Sequence, residues 1–136
     1  MIETYSNNIT CSTDTAVPFN TDFKKGCTVS KSGNSTIQLN RCGIYEITVN
    51  ASGVATTGGT ITLQLKSNNV LLPNAFASVT ATDTTSTHNL SFTTKIQVPS
   101  NYNAICPCSD TFDVQVINAG VETTYSVVNM VVTKII

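Results

Sequence analysis

Apolar and polar residues alternate with a period of two along most of the chain, and no window keeps helical spacing over three turns. The clearest run places Tyr45, Ile47, Val49 and Ala51 on one parity and Glu46, Thr48, Asn50 and Ser52 on the other, which predicts a half-buried strand. Similar alternation marks Ile61, Leu63 and Leu65, then Leu90, Phe92, Ile96 and Val98, then Phe112, Val114 and Val116. Shorter runs lie at Cys27 to Ser30 and at Ile37 to Leu39. Ile2, Tyr5 and Ile9 form a diluted alternation that reads as an edge strand. Val17-Pro18-Phe19 reads as a second short one, because an edge position needs no ladder donor from proline.

Turn signals separate these runs at Lys24-Lys25-Gly26, Ser32-Gly33-Asn34, Ser67-Asn68-Asn69, Pro99-Ser100-Asn101 and Asn118-Ala119-Gly120. Asparagine tolerates the left-handed conformation, so Asn68-Asn69 suits a tight turn. Gly58-Gly59, between two alternating runs, predicts a hairpin. Val70 to Ala81 is apolar but irregular, with Pro73 and Phe76 inside it, and reads as an extended crossover with a short strand at most. Eight or so short strands imply an all-β fold without substantial helix: a two-sheet antiparallel jelly-roll sandwich, one domain over residues 1–136.

The last stretch, Thr124 to Ile136, departs from simple amphipathicity. By strand parity, Tyr125, Val127, Val131 and Ile135 share one side, and Val128, Met130, Val132 and Ile136 share the other. A sandwich strand ordinarily has one dry side. Two apolar sides call for two dry neighbours, and without helices a second subunit is the simplest source of the second. The expectation is a homo-oligomer in which this strand and the Tyr45 strand meet a neighbouring copy. Its interface is expected to use Tyr45, Ile47, Val49, Tyr125, Val127, Val131 and Ile135.

Composition narrows the partners. Charged residues are 11% of the 136, against roughly a quarter in an average soluble protein, and the net charge is −1. No basic cluster exceeds Lys24-Lys25, which excludes the electrostatic footprint of a nucleic-acid or anionic-membrane binder. The opening Met1-Ile2-Glu3-Thr4-Tyr5 lacks the basic and apolar regions of a secretory signal, and no apolar run is long enough to span a membrane, so folding in a cytoplasm is expected. Cys11, Cys27, Cys42, Cys106 and Cys108 are odd in number and lack CxxC spacing. In a reducing compartment they read as free thiols, with a disulfide and a metal site as alternatives.

Candidate chemistry is sparse. His88, the one histidine, lies in phase with Leu90, Phe92 and Ile96, has no Cys or Ser near it in a recognisable motif, and reads as a strand-end residue rather than a base. Cys106 and Cys108 flank Pro107 and are weak metal candidates, since two thiolates are too few for zinc. Asp110 and Asp113 bring too few oxygens for a hard cation. Gly58-Gly59 precedes no helix and so forms no phosphate cradle. No enzyme activity and no cofactor is expected. Tyr102 is the one obvious aromatic of a loop end, where a sugar would stack.

Two resemblances add to this. Ile37-Gln38-Leu39, Gly43-Ile44-Tyr45, the glycine-split pair of strands, Leu65 to Val70 with its Asn-Asn turn, and a valine-rich last strand resemble the trimeric jelly roll of complement-type heads and tumour necrosis factor ligands. In that family the Gly-x-Tyr step opens a central strand and the last strand lies near the threefold axis. The chain lacks the family's Phe-Gly step in the last strand, so receptor-ligand function is not implied. Met1 to Ser6, Lys25 to Val29, Ile37 to Asn40, Cys106 to Ser109 and Val131 to Ile135 are similar to small proteins of tailed bacteriophages infecting gut Firmicutes. That resemblance implies a virion protein made in the bacterial cytoplasm, a homotrimeric capsid decoration or head-fibre protein contacting the major capsid or another virion protein. The alternative it leaves is a receptor- or carbohydrate-binding head of a tail fibre or baseplate that touches a host surface glycan.

Overall fold

Two antiparallel sheets enclose one core in the computed structural model, which describes residues 1–99 and 112–136. Eleven strands occur among these residues: β1 (Ile2–Cys11), β2 (Thr15–Ala16), β3 (Thr21–Lys24), β4 (Val29–Ser32), β5 (Thr36–Leu39), β6 (Gly43–Ala55), β7 (Gly59–Ser67), β8 (Val70–Ala81), β9 (His88–Val98), β10 (Phe112–Asn118) and β11 (Thr123–Lys134). One sheet runs β3-β1-β11-β6-β9. The other runs β4-β5-β10-β7-β8, with β2 paired to β10. Chain neighbours often sit in opposite sheets while β1 pairs with β11, which is the wrapping of a jelly roll.

Alternation decides which side chains meet in the middle. Tyr45, Ile47, Val49 and Ala51 of β6 face Ile61, Leu63 and Leu65 of β7 and Val114 and Val116 of β10 within a single buried cluster. The diluted β1 alternation belongs to an interior strand rather than an edge, with β3 on one side and β11 on the other. Its inward positions Thr4 and Ser6 are buried hydroxyls. The Thr4 Oγ1 hydroxyl donates to Thr21 O at 3.2 Å and Ser6 Oγ to Pro18 O at 2.7 Å, so the polar atoms that weaken the pattern are satisfied. Val17 and Phe19 lie outside any strand yet are fully buried. The Val17 N–H donates to Val116 O at 2.8 Å and the Phe19 N–H to Asn34 O, which holds the segment against β10.

Two connections differ from the sequence expectation. Gly58-Gly59 does not close a hairpin, because β6 and β7 belong to different sheets. The turn is a corner between layers, and it leans on the β10–β11 corner: the Ala119 N–H donates to Thr62 O at 2.9 Å and the Val121 N–H to Thr60 O at 3.0 Å. A Cβ at Gly120 would stand 2.2 Å from Thr60 O, so only glycine allows the two corners to touch. Val70 to Ala81 is a full strand, β8, paired with β7 from Ser67↔Val70 to Gly59↔Ala81. Its irregularity is a bulge between the pairs Gln64↔Phe76 and Lys66↔Leu71, where Pro73 needs no partner for a missing N–H. The real hairpin is at Asn68 and Asn69, both left-handed at φ 49° and 67°.

A polar knot ties the end of β10 to β11. Tyr125 donates its hydroxyl hydrogen to Asn118 Oδ1 at 2.7 Å, and Asn118 Nδ2 donates to Cys11 O, Ser12 O and Val121 O at 2.9, 3.2 and 3.1 Å. Both side chains are buried, and burial raises the Tyr125 hydroxyl above the ordinary tyrosine range. Tyr125→Phe leaves Asn118 Oδ1 buried without a donor and is predicted to cost about 1–3 kcal/mol of stability, read from urea unfolding at unchanged m-value.

Candidate self-association face

The core takes up one parity of the β3-β1-β11-β6-β9 sheet, and the other parity forms a broad outward face. Its composition follows from register. Phe23, Glu3, Val131, Thr48 and Thr93 make one row across the five strands, and Thr21, Tyr5, Asn129, Asn50 and Ser91 make the next. Asn7, Val127, Ser52 and Asn89 make a third.

These rows are neutral at their centre. Thr48 and Thr93 share a hydroxyl hydrogen bond at 3.1 Å, Ser91 donates to Asn50 Oδ1 at 2.7 Å, and Ser52 donates to Asn89 Oδ1 at 2.5 Å. Charge is confined to one end: Glu3, and Glu46 with Lys95, whose contact is 4.0 Å long between exposed side chains and contributes little. Apolar surface stands among the hydroxyls and amides at Phe23, 62% exposed, and at Val127, 39% exposed, with Tyr5 and Val131 partly covered. Between β6, β9 and β11 the short side chains leave a shallow depression of about 320 Å³, lined by Asn50, Ser52, Asn89, Ser91, Val127 and Asn129.

Seven residues expected at an interface divide into two groups. Val127 and Val131 lie on this face, and Ile135 is exposed just beyond the end of β11. Tyr45, Ile47, Val49 and Tyr125 are fully buried inside the protomer and cannot meet a neighbour. Tyr45, Ile47 and Val49 occupy the parity of β6 that faces the other sheet, and Tyr125 is turned inward by a bulge in β11: the register slips between Tyr125 and Val127, so Ser126 and Val127 both face outward. Strict parity had put Tyr125 with Val127, and the bulge separates them. Opposite it, Asn8 of β1 takes φ 53°, so both strands accommodate the extra residue together. Tyr45 anchors its end of the core through its hydroxyl, which donates to Arg41 O at 2.7 Å.

The other candidates gather into no site. His88 opens β9 with Nε2 buried and bonded to nothing among the described residues. Asp113 is the second residue of β10, opposite Gln38 of β5, its N–H donating to Asn68 Oδ1 at 2.8 Å. No group of three metal-ligating side chains occurs among the described residues. Tyr102, Cys106, Cys108 and Asp110 lie outside the described residues. The free-thiol expectation holds for Cys11 and Cys27 but not for Cys42, which is disulfide-bonded. Odd count and spacing carry no information about which thiols a fold brings within bonding distance.

Tyr5, Phe23, Asn50, Asn89 and Asn129 were not singled out by the sequence. Asn50 stood on the polar parity of its strand, and only the register with β11 and β9 shows that this parity continues across five strands. No protein-family model matches the chain, and no curated protein matches it. Among solved structures, the Eiger TNF of S. frugiperda is 11% identical, with 100% of this chain and 92% of that one covered at a TM-score of 0.63. Murine APRIL at pH 5.0 is 10% identical, with 98% of each chain covered at a TM-score of 0.65. The fold is a TNF-like jelly roll. At these identities the likeness speaks to the fold alone.

The thiols give a direct check on this arrangement. Burial pushes the Cys11 thiol up to about 11, whereas Cys27 is exposed. Native protein at pH 8 is predicted to lose Cys27 to a thiol reagent well before Cys11, and denatured, unreduced protein to label at fewer than five cysteines by intact mass.

Proposed function

We propose that this chain is a homotrimeric structural protein of a tailed-bacteriophage virion, made in the host cytoplasm and attached to the head as a capsid decoration or head-fibre protein. The observation that carries the self-association in this reading is the outward face of the five-stranded sheet: broad, nearly uncharged, and studded with Phe23, Tyr5, Val127 and Val131. A face with few charges has less desolvation to oppose contact, and each Å² of apolar area removed from water contributes about 25 cal/mol. A closed ring of three then presents three copies of any contact with the major capsid or another virion protein, so a weak contact becomes firm through avidity. The function is adhesive, and its working parts are the apolar and hydroxyl side chains of this face. The virion location is the part of the proposal that rests only on the resemblance of the Lys25 to Val29, Ile37 to Asn40 and Val131 to Ile135 runs to phage proteins.

Val127→Asp and Val131→Asp each place a carboxylate where the neighbour would close, and each is predicted to weaken association at least about a hundredfold while the protomer stays folded. Light scattering at micromolar concentration is expected to give three protomer masses for the wild type and one for each variant. Ser78→Asp, on an exposed position of β8 in the other sheet, is expected to leave the trimer intact. An unchanged mass in both valine variants, or a wild type of one protomer mass, would overturn the assembly reading. Co-purification with virions, absent after Val127→Asp, tests the location.

A further inference from the structure

We infer that the amide row centred on Asn129 fixes the register in which copies of the chain meet, an inference that rests on the self-association reading above. Asn129 of β11 stands opposite Asn50 of β6 and Tyr5 of β1, in the middle strand of the face. Its Oδ1 is buried and has no hydrogen-bond partner among the described residues. Beside it, Asn50 and Asn89 use their carbonyl oxygens to accept from Ser91 and Ser52, and their amide nitrogens make no hydrogen bond among the described residues. The patch therefore holds an orphan acceptor and spare donors of one chemistry, within one depression.

The Asn129 acceptor is unmatched within the protomer, while the Asn50 and Asn89 amide nitrogens are open to solvent, and a second copy brings amides of the same kind. A half-turn of the Asn129 amide about χ2 exchanges Oδ1 and Nδ2, so the side chain can present either an acceptor or a donor to a facing copy. The occupant this chemistry fits is another copy of the chain, which carries neutral amides and hydroxyls of the same kind. A charged partner would find no counter-charge closer than Glu3, Glu46 and Lys95 at the end of the face. Val127 and Val131 flank the row and supply adhesion, which by itself is indifferent to sliding. An amide inside an apolar contact destroys that indifference, because each shifted arrangement strands it without a partner. The row gives up some affinity and excludes alternative assemblies.

The test compares wild type, Asn129→Val, Asn129→Thr and Val127→Asp by native mass spectrometry and sedimentation over a dilution series, with circular dichroism confirming the fold. Asn129→Val is expected to associate about tenfold more tightly or better but as a mixture of stoichiometries. Asn129→Thr, which restores a hydroxyl donor and acceptor on the same β-branched shape, is expected to return a single species. Asn50→Val provides the same comparison from β6 if Asn129→Val does not fold. If Val127→Asp dissociates while both valine variants of the amides keep one mass and the wild-type dissociation constant, the register role fails and self-association stands. If the wild type has one protomer mass, self-association fails, and if Val127→Asp leaves an oligomeric mass unchanged, this face is not the contact; in either case the register role falls with it.

Discussion

The position of β11 constrains everything else in this molecule. It pairs with β1 along one edge and with β6 along the other, so it lies at the centre of its sheet and its two sides have separate fates. Val128, Met130 and Val132 close the core, and their burial is what locks the two sheets together. The outward side has no third layer among the described residues. A bulge at Ser126 decides which residue goes where, because one extra residue reverses the side to which every later side chain points. Without that slip Tyr125 and Val127 would share a side, and the hydrogen bond from Tyr125 to Asn118 would be lost.

From this constraint the character of the outward face follows. A central strand with valines on its outward side, flanked by strands whose outward residues are Thr, Ser and Asn, gives a surface that is dry in part and uncharged at its centre. Its hydroxyls and amides already bond to one another across β6 and β9, which lowers the cost of taking them out of water. The same interior pairing leaves the Asn129 acceptor and the Asn50 and Asn89 donors over. Adhesion and register thus come from different side chains of one face, apolar for the first and amide for the second.

Much of the fold was legible in the residues. Period-two alternation located β5, β6, β7, β9 and β10, and the Asn68-Asn69 turn was placed from the conformational tolerance of asparagine. Illegible features share a cause: they depend on pairing between distant segments. Gly58-Gly59 looks the same whether it closes a hairpin or turns a corner between layers, and the pairing of β6 with β11 and β9, and of β7 with β10 and β8, decides it. Proline inside Val70 to Ala81 hid a full strand, since a bulge absorbs it. The candidate interface was half legible for the same reason. Val127, Val131 and Ile135 lie on the outside of the protomer, whereas Tyr45, Ile47 and Val49 are core because they occupy the inward parity of β6, and Tyr125 is core because of a β-bulge that cannot be seen in a run of apolar letters. His88 remained the strand-end residue its surroundings implied.

Solvent access to the outward side of β11 at working concentration tests the central claim most directly. Carbene footprinting of the native protein reports it residue by residue at Val127, Val131 and the neighbouring Tyr5. With identical copies closing over the face, labelling there is low at high protein concentration and rises on dilution, while exposed Phe76 on β8 labels equally throughout. Labelling of Val127 at the level its 39% exposure in the lone protomer implies, unchanged across the whole concentration range, would contradict the account.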